Sequence, residues 1–438
     1  MKEQRMMDVT IGLTNFASSA APTEAALGMM RLSLFDWAAC AIAGADEPVA
    51  RILRDKALDE AGTGQASLIG GGRASCSVAA LVNGATSHAL DYDDTHFAHI
   101  GHPSVAVIPA ALALAQRDGA GMQALLEAAL IGAEGSIRFG IWLGRPHYQI
   151  GFHQTATAGA IGATLAAIRL LDQPAAVAHH ALGLAATRAS GLKSQFGTMG
   201  KPYNAGLAAE TGVEAALLAG LGMTSAVDGL SGAQGFGPTH HGSADASAFD
   251  GLGADWKFQS ISHKFHACCH GLHAMLEALS EIETAPDEIT SVAVATHPRW
   301  LSVCNIAEPT TGLEAKFSYR LTAAMALSGI ETGAIESFSD ITATDPQLAA
   351  LRDRVSVAGD DRLSETEARV TLTLANGDTV ATAHDLDAPI TVPDRSAKLR
   401  RKAASLLGKA RAERLWQAVR AETLGPLVQE LAGQETWS

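Results

Sequence analysis

Apolar residues in the first 250 positions recur with the 3.6-residue period of amphipathic helices. The segment 24–42 shows it clearly, because one helical face would carry Leu27, Met30, Leu34, Ala38 and Ile42. The same pattern predicts further helices at 77–90, 104–116, 121–143, 155–171, 174–190 and 205–221. Many of these segments have Ala or Gly where Leu is more usual, which predicts helices that approach one another closely. No run in this part alternates clearly enough to predict a strand.

The pattern changes after residue 250. Ile289–Thr296 alternates between apolar and polar residues as a strand does, and 368–384 has the pattern of a hairpin with Asn376-Gly377 at its turn. Three more helical segments are predicted, at 272–282, 315–327 and 396–431.

These elements predict a mostly α fold with two parts. The first is a large all-α domain formed by 1–250 and completed by 388–438, whose helices would pack back onto it. The second is a smaller α+β domain formed by 251–387.

Charge and cysteine content narrow the classes of partner and the compartment. The 438 residues include 32 Lys plus Arg and 46 Asp plus Glu, a formal charge of −14, which disfavours nucleic acid and anionic membranes as partners. A small anionic substrate stays possible because a few local cations suffice to bind it. Five cysteines are too few for a secreted disulfide framework, and neither a signal peptide nor an apolar run of about 18 residues is present. We therefore expect a cytoplasmic protein without a membrane span.

Histidine and aspartate are concentrated between residues 88 and 104. Four imidazoles and three carboxylates fall within these 17 residues: His88, Asp91, Asp93, Asp94, His96, His99 and His102. Imidazoles beside carboxylates are typical of acid–base catalysis or metal binding. The alternative is a polar loop whose histidines are incidental. His102-Pro103-Ser104 precedes an apolar helix, and free N–H groups at such a helix start favour an anion.

Four other places could contribute to a site. His153 precedes a helix and could be catalytic or a helix cap, and Lys201, among glycines, could bind a carboxylate or simply be exposed. The glycine spacing around Lys201 does not match the nucleotide-binding GxxxxGK[ST] loop. Tyr319 lies near two cations, either in a site or in a surface turn. Six potential zinc ligands lie between 263 and 273: His263, His266, Cys268, Cys269, His270 and His273. They could form the site of a zinc-dependent hydrolase, or the cysteines could simply be buried at the start of a helix.

Taken in order along the chain, these motifs resemble those of the MmgE/PrpD family, which contains 2-methylcitrate dehydratases, cis-aconitate decarboxylases and iminodisuccinate epimerases. The resemblance rests on an ordered set of segments: Asp91-Tyr92-Asp93-Asp94-Thr95, His102-Pro103-Ser104, Gly151-Phe152-His153, Lys201-Pro202, 264–269 and Phe317-Ser318-Tyr319.

The resemblance implies a helical domain, a smaller α+β lid, a site between them that needs no cofactor or metal, and a homodimer. It implies catalytic roles for His102, His153, Asp91, Lys264 and Tyr319. Thr95, Lys201 and Cys269 would bind the substrate, and Cys269 replaces a histidine of the vertebrate cis-aconitate decarboxylases.

The implied reaction is acid–base chemistry at a carbon next to a carboxylate of a small di- or tricarboxylate. Lys201 and Lys264 would stabilise the enolate-like intermediate, and His102 and His153 would be the acid and base, with Asp91 orienting an imidazole. A lyase, either dehydratase or decarboxylase, is the leading hypothesis. An epimerase or isomerase could use the same residues.

Overall fold

A computed structural model describes residues 8–60 and 62–433 and divides the chain into two units. Unit 1 contains Met1–His263 and Leu407–Ser438, and unit 2 contains Lys264–Leu406. The sequence predicts divisions after 250 and 387, whereas the structure divides the chain after 263 and 406. The helix Val392–Leu407 lies almost entirely in unit 2, where Lys398 forms an ion pair with Glu277.

Unit 1 is a helical assembly. Its α-helices are α1 (Asp8–Ser19), α2 (Glu24–Ala43), α3 (Pro48–Asp59), α4 (Cys76–Ser87), α5 (Ser104–Asp118), α6 (Met122–Ile150), α7 (Gln154–Leu170), α8 (Ala175–Arg188), α9 (Gly200–Gly220) and α10 (Phe236–Thr239), and α17 (Lys409–Ala418) and α18 (Gly425–Ala432) from the C-terminal segment. The predicted helices are therefore present, with shifted ends. The expectation of an all-helical domain is wrong in one detail, because β1 (Ala66–Ser67) and β2 (Arg73–Ala74) pair antiparallel.

Small residues let the central helices of unit 1 approach closely. Helix α9 packs against α4 and α7, and a Cβ atom added to Gly84 of α4 would lie 2.9 Å from the Cα of Gly206 in α9. A Cβ on Gly206 would lie 2.3 Å from the carbonyl oxygen of Leu81. Both distances are too short for a side chain, so the predicted close approach is a contact between backbones.

Two other helices in unit 1 have unusual features. Helix α6 is interrupted at Gly144, whose φ of 70° and ψ of −173° are not helical, and the helix predicted from the sequence ends one residue earlier. Helix α2 is long and apolar enough to cross a membrane by length and composition alone. Most of that helix is buried inside the folded protein, as in a core helix.

Unit 2 contains a four-stranded sheet in the order β4-β3-β5-β6. Its strands are β3 (Ile289–Thr296), β4 (Val355–Gly359), β5 (Glu367–Leu374) and β6 (Thr379–Asp385). Strand β3 has the bounds that alternation predicts, and β5 and β6 form the predicted hairpin. Strand β4, which the sequence pattern did not reveal, pairs parallel to β3.

The helices of unit 2 have four to nine residues except for the last, which has 16: α11 (His273–Leu279), α12 (Gly312–Ala315), α13 (Tyr319–Leu327), α14 (Asp340–Ala343), α15 (Pro346–Arg352) and α16 (Val392–Leu407). The single helix predicted at 315–327 is two helices, because the Ser318 side chain accepts a hydrogen bond from the N–H of Leu321 and starts α13 there. The predicted helical tail is likewise divided, with Gly408 in a positive-φ conformation between α16 and α17.

Candidate active site

The loop between α4 and α5, residues 88–103, holds most of the candidate residues and is fixed by backbone contacts within unit 1. Thr95 and Ser262 exchange two backbone hydrogen bonds of 2.8 Å, and the N–H of His96 donates to the carbonyl of Gly101 at 2.9 Å. Asp91 adopts a left-handed conformation with φ of 50°, which is uncommon outside glycine. The loop therefore has a defined shape, and its four histidines are all buried. The loop is therefore not a solvent-exposed polar segment, and a catalytic role for its histidines stays a prediction.

Asp94 anchors the end of this loop to helix α5. The hydroxyl of Ser104 donates to Asp94 Oδ2 at 2.5 Å, and the backbone N–H of Ser104 lies 3.4 Å from Oδ1. Burial raises the pKa of Asp94 to about 7, and nearby Asp36 adds to the rise while the hydrogen bond from Ser104 opposes it. Asp94 is thus a structural anchor whose charge changes near neutral pH.

Asp93 lies between two imidazoles. Its Oδ1 lies 2.8 Å from Nδ1 of His88, and its Oδ2 lies 2.7 Å from Nδ1 of His102. All three side chains are buried, and the two rings meet edge to face with centroids 4.6 Å apart. Burial alone would raise the pKa of Asp93, but His102 and His88 outweigh it and hold that pKa well below its usual range. Asp93 is therefore a carboxylate that can only accept hydrogen bonds.

Asp91 joins His102 to Lys201. Its Oδ2 lies 2.6 Å from Nζ of Lys201, and its Oδ1 lies 3.4 Å from Nε2 of His102. Lys201 is the second residue of α9 and is only partly exposed, so the interpretation as a solvated surface lysine is wrong. Burial lowers the pKa of His102 to about 4, against the opposing effect of Asp93 and Asp91. His102 is therefore neutral at pH 7.

His153 lies on the other side of His88, with ring centroids 6.2 Å apart, and it is buried. It is the N-cap residue of α7, but its side chain makes no capping hydrogen bond. Nδ1 of His153 lies 3.3 Å from Nδ2 of Asn204. Burial lowers the pKa of His153 well below its usual range, and the charge of Lys201 adds to that effect. In the same helix, Thr155 Oγ1 accepts a hydrogen bond of 3.1 Å from the N–H of His102. Helices α7 and α9 thus place His153, Lys201 and Asn204 beside the loop.

The unit 1 cluster could accommodate a cation by geometry. Ligand atoms of four residues lie within 4.8 Å of one another: His88, Asp91, Asp93 and His102. The donors are nevertheless engaged within the protein, since the Lys201 ammonium is paired with Asp91 and both oxygens of Asp93 face imidazoles. The described part of unit 2 places no three histidine or cysteine ligands of 266–273 in a comparable group. Those residues therefore lack the geometry of a zinc site.

Three predicted residues belong to unit 2. Lys264 is buried near the thiol of Cys268, whose pKa is raised chiefly by burial. Cys269 is partly exposed, and its N–H donates to the carbonyl of Lys316 at 2.9 Å. Tyr319 is fully buried, so the interpretation of a surface turn is wrong.

The hydroxyl of Tyr319 is bonded inside unit 2. It donates to the carbonyl of Gly271 at 2.5 Å and lies 3.0 Å from Oγ1 of Thr296. Burial raises the pKa of Tyr319 far above its usual range. The phenol is therefore neutral at every pH at which the protein would be assayed.

Sequence reasoning singled out neither Asp93 nor Asn204 as a site residue, and it assigned the orienting carboxylate to Asp91. The structure places Asp93 nearer to His102, with Asp91 paired to Lys201. Asp93 could have been selected as one of three neighbouring carboxylates, but the sequence alone does not show which of them faces an imidazole. For Asn204 the only signal was its helical spacing of three residues from Lys201.

Comparison with known protein families decides the classification. The MmgE/PrpD N-terminal domain matches residues 13–248, and the MmgE/PrpD C-terminal domain matches residues 266–423. The chain belongs to the MmgE/PrpD family. The two matched domains meet between residues 248 and 266, close to the division after His263 that separates the two units. The family resemblance and the mostly α fold predicted from the motifs are confirmed.

Individual relatives are named as decarboxylases. Over 298 residues the chain is 28% identical to a cis-aconitate decarboxylase-like protein, oryM, of Aspergillus oryzae, covering 63% of this chain and 62% of that protein. It is 29% identical over 301 residues to the cis-aconitate decarboxylase of Aspergillus terreus, covering 64% of this chain and 60% of that protein. The human cis-aconitate decarboxylase is 33% identical over 166 residues, covering 36% of this chain and 34% of that enzyme. The match spans about three fifths of the length of the two fungal relatives.

Proposed function

We propose that this MmgE/PrpD protein is a lyase that acts on a small di- or tricarboxylate by acid–base chemistry without a cofactor. The observation that carries the proposal is the cluster of His102, Asp91 and Lys201, in which a neutral imidazole nitrogen and an ammonium group lie on either side of one carboxylate. The names of the fungal and human relatives favour decarboxylation and make cis-aconitate the first substrate to test.

The side chains present could perform each step. In a decarboxylation the bond between carbon and the leaving carboxylate breaks, its electron pair moves into the carbon framework next to a remaining carboxylate, and carbon dioxide leaves. Lys201 would stabilise the resulting enolate-like charge, and the family motif suggests the same role for Lys264. A buried imidazole would then deliver one proton to carbon, which completes the reaction without an oxidant or a reductant.

A dehydration would use the same groups differently. One imidazole would remove the proton next to a carboxylate, and the other would protonate the departing hydroxyl group so that it leaves as water. An epimerisation would return the proton to the opposite face of the same carbon. Because the three reactions share one set of residues, the experiment has to follow both the carbon skeleton and the solvent proton.

The test is proton and carbon NMR of the purified protein in deuterated buffer with cis-aconitate, 2-methylcitrate or iminodisuccinate. We expect release of carbon dioxide from cis-aconitate and a dicarboxylate product that carries one solvent deuteron. Loss of water from 2-methylcitrate would instead establish a dehydratase. Deuterium exchange without a new compound would identify an epimerase and contradict the lyase proposal, as would the absence of any reaction.

Two variants test the site assignment. Lys264→Ala and His102→Ala should each lose most of the activity while their circular dichroism spectra stay those of the folded protein. A matched control is Lys193→Ala, which removes a lysine whose Nζ donates to the carbonyl of Tyr148 rather than to the cluster. Wild-type turnover in Lys264→Ala or His102→Ala would exclude that residue from the mechanism.

A further inference from the structure

The two buried histidines of the cluster face different groups at the same ring nitrogen. Nδ1 of His102 faces the Asp93 carboxylate at 2.7 Å, whereas Nδ1 of His153 faces the amide nitrogen of Asn204 at 3.3 Å. A carboxylate can only accept a hydrogen bond, and an amide NH₂ can only donate one. The two neutral rings therefore carry their protons on different nitrogens, Nδ1 in His102 and Nε2 in His153.

Asn204 has a second contact that fixes which way its amide points. Nδ2 also lies 3.3 Å from the carbonyl oxygen of Leu192, which accepts hydrogen bonds and cannot donate them. If the amide were turned around, its oxygen would face this carbonyl oxygen, and two acceptors would repel one another. The NH₂ group is therefore the one that faces His153, and Nδ1 of His153 accepts.

His88 fixes the orientation of the Asp93 carboxylate. The second carboxylate oxygen of Asp93 is 2.8 Å from Nδ1 of His88, and in the described residues no hydrogen-bond partner is found for Nε2 of that ring. His88 thus makes its side-chain hydrogen bond to Asp93, which orients the carboxylate toward His102. Both ring nitrogens of His102 face a carboxylate, but Nδ1 lies 2.7 Å from Asp93 whereas Nε2 lies 3.4 Å from Asp91, and Asp91 is paired with Lys201. The closer carboxylate therefore puts the proton of neutral His102 on Nδ1.

We propose that Asp93, supported by His88, and Asn204 are positioning residues that set opposite tautomers in His102 and His153. His102 then presents an unprotonated Nε2 and is the base. His153 presents an Nε2–H and is the acid, and after it delivers this proton Nε2 takes one back from solvent. A carboxylate behind a base also stabilises the imidazolium ion that forms when the base takes a proton. The inference rests on the proposed lyase function and deepens it. In a decarboxylation it assigns the single proton delivered to carbon to Nε2 of His153, and in a dehydration it also assigns removal of the proton to Nε2 of His102.

The direct test does not depend on any substrate. The protein would be labelled with ¹⁵N at histidine, and long-range ¹H–¹⁵N correlation spectra at pH 7.5 would report which nitrogen of each ring is protonated. His102→Gln and His153→Gln assign the two rings by the loss of their signals. We expect His102 protonated at Nδ1 and His153 at Nε2. The same tautomer in both rings, or His102 protonated at Nε2, would overturn the proposal.

Two reciprocal substitutions extend the test. Asp93→Asn replaces the acceptor by an amide that can donate, and Asn204→Asp replaces the donor by an acceptor, so each should move the proton of its histidine to the other nitrogen. We expect kcat to fall by about 10²–10⁴-fold in Asn204→Asp, which removes the proton donor that either lyase reaction needs, with KM changed much less. Asp93→Asn should cause the same fall if the reaction is a dehydration, because only that reaction needs a base. His88→Gln, which keeps a donor to Asp93, should retain more activity than His88→Leu.

Asp94→Asn is the matched control, because it makes the same chemical change at the adjacent buried carboxylate, which contacts Ser104 rather than an imidazole. It should leave both tautomers in place and kcat within a few-fold of wild type. An equal loss in Asp94→Asn and Asp93→Asn, or unshifted tautomers in the reciprocal variants, would contradict the inference. Binding of one divalent cation per chain by His88 and His102 would also contradict it, because Nδ1 of each ring would then bind the metal and carry no proton. If the tautomers are as expected but no carboxylate is turned over, the lyase proposal fails and the tautomer assignment stands.

Discussion

Nζ of Lys201 lies 2.6 Å from Oδ2 of Asp91, so the first turn of α9 is linked by an ion pair to the loop that precedes α5. Asp91 reaches this position from a left-handed backbone conformation with φ of 50°. The cation that we propose for substrate binding is therefore already paired with a carboxylate inside unit 1. An anionic substrate would share or replace that partner.

The first prediction concerns this pair. Lys201→Gln should lower kcat/KM by about 10–100-fold, mainly through KM. The reason is that loss of a hydrogen bond between a charged group and a substrate carboxylate typically costs about 1.5–3 kcal/mol of binding free energy. The free energy of unfolding should change by less than about 1 kcal/mol, since Asp91 is partly exposed to solvent. Steady-state kinetics and urea unfolding measure the two effects. Lys193→Gln is the control, and an equal rise of KM in both variants would refute a specific role for Lys201.

The second prediction concerns the pH dependence that Asp94 gives to stability. Its pKa is raised from 3.8 to about 7, so between these values the folded protein keeps a proton that the unfolded chain releases. This group therefore lowers stability as the pH rises from about 4 to 7. Asp94→Asn removes the effect, so the variant should gain stability relative to wild type as the pH rises across this window. Urea unfolding of both proteins at several pH values tests this, and a difference that does not vary with pH would contradict it.

The third prediction concerns His96, whose titration makes stability rise with pH, in the opposite direction to that of Asp94. Burial lowers its pKa from 6.5 to about 4, although Nε2 donates to the carbonyl of Lys257. Below pH 6.5 the unfolded chain takes up a proton that the folded protein does not, so stability is lost as the pH falls from about 6.5 to 4. His96→Gln keeps a donor and should reduce the slope of stability against pH by up to about 1.4 kcal/mol per pH unit.

The control for this experiment is His179→Gln, which removes a partly exposed histidine from α8. Its slope between pH 4 and 6.5 should match that of wild type. The assignment would be refuted if both variants lowered the slope equally, because the effect would then not depend on burial.

The fourth prediction concerns a buried ion pair inside α6. Arg138 pairs with Glu134 and also donates hydrogen bonds to the carbonyls of Ala248, Asp250 and Asp255. Arg138→Met should cost about 3–5 kcal/mol of unfolding free energy, because Glu134 is left buried without its cation. Proteases should also cleave the segment 246–258 faster, since three of its carbonyls lose their donor.

The matched control for Arg138 is Arg169→Met in α7. Arg169 pairs with Glu127 at 3.1 Å, but both side chains are partly exposed, so its loss should cost less than about 1 kcal/mol. Chemical unfolding and limited proteolysis measure the difference. Equal destabilisation by the two substitutions would show that the buried position of Arg138 has no special effect.

Local patterns predicted much of the fold because they report on single elements. The alternation in Ile289–Thr296 identifies β3 with its observed bounds, and the Asn376-Gly377 turn identifies the hairpin. Strand β4 was missed because its parallel pairing with β3 joins residues about 60 positions apart, which no local period reveals. The predicted division after 387 differs from the observed one after 406 for a similar reason, since the contacts of α16, such as the ion pair between Lys398 and Glu277, join positions far apart in the chain.

The same limit applies to the candidate site. Motifs indicated His102, His153 and Lys201, but they did not show which aspartate serves His102. Asp91 and Asp93 are two positions apart, and the left-handed backbone at Asp91 directs its carboxylate to Lys201. The protonation states that follow depend on contacts across helices, such as that of Asn204 with His153, and these arise only when the helices pack.

The contact of Gly84 with Gly206 has a consequence for efforts to change what this protein accepts. Helix α4 leads directly into His88, and α9 begins at Gly200 just before Lys201, so the spacing of these two site residues is fixed where two backbones touch. No choice of rotamer can widen or narrow that spacing. Mutant libraries that seek larger or smaller substrates should therefore keep both glycines and diversify side chains elsewhere around the cluster.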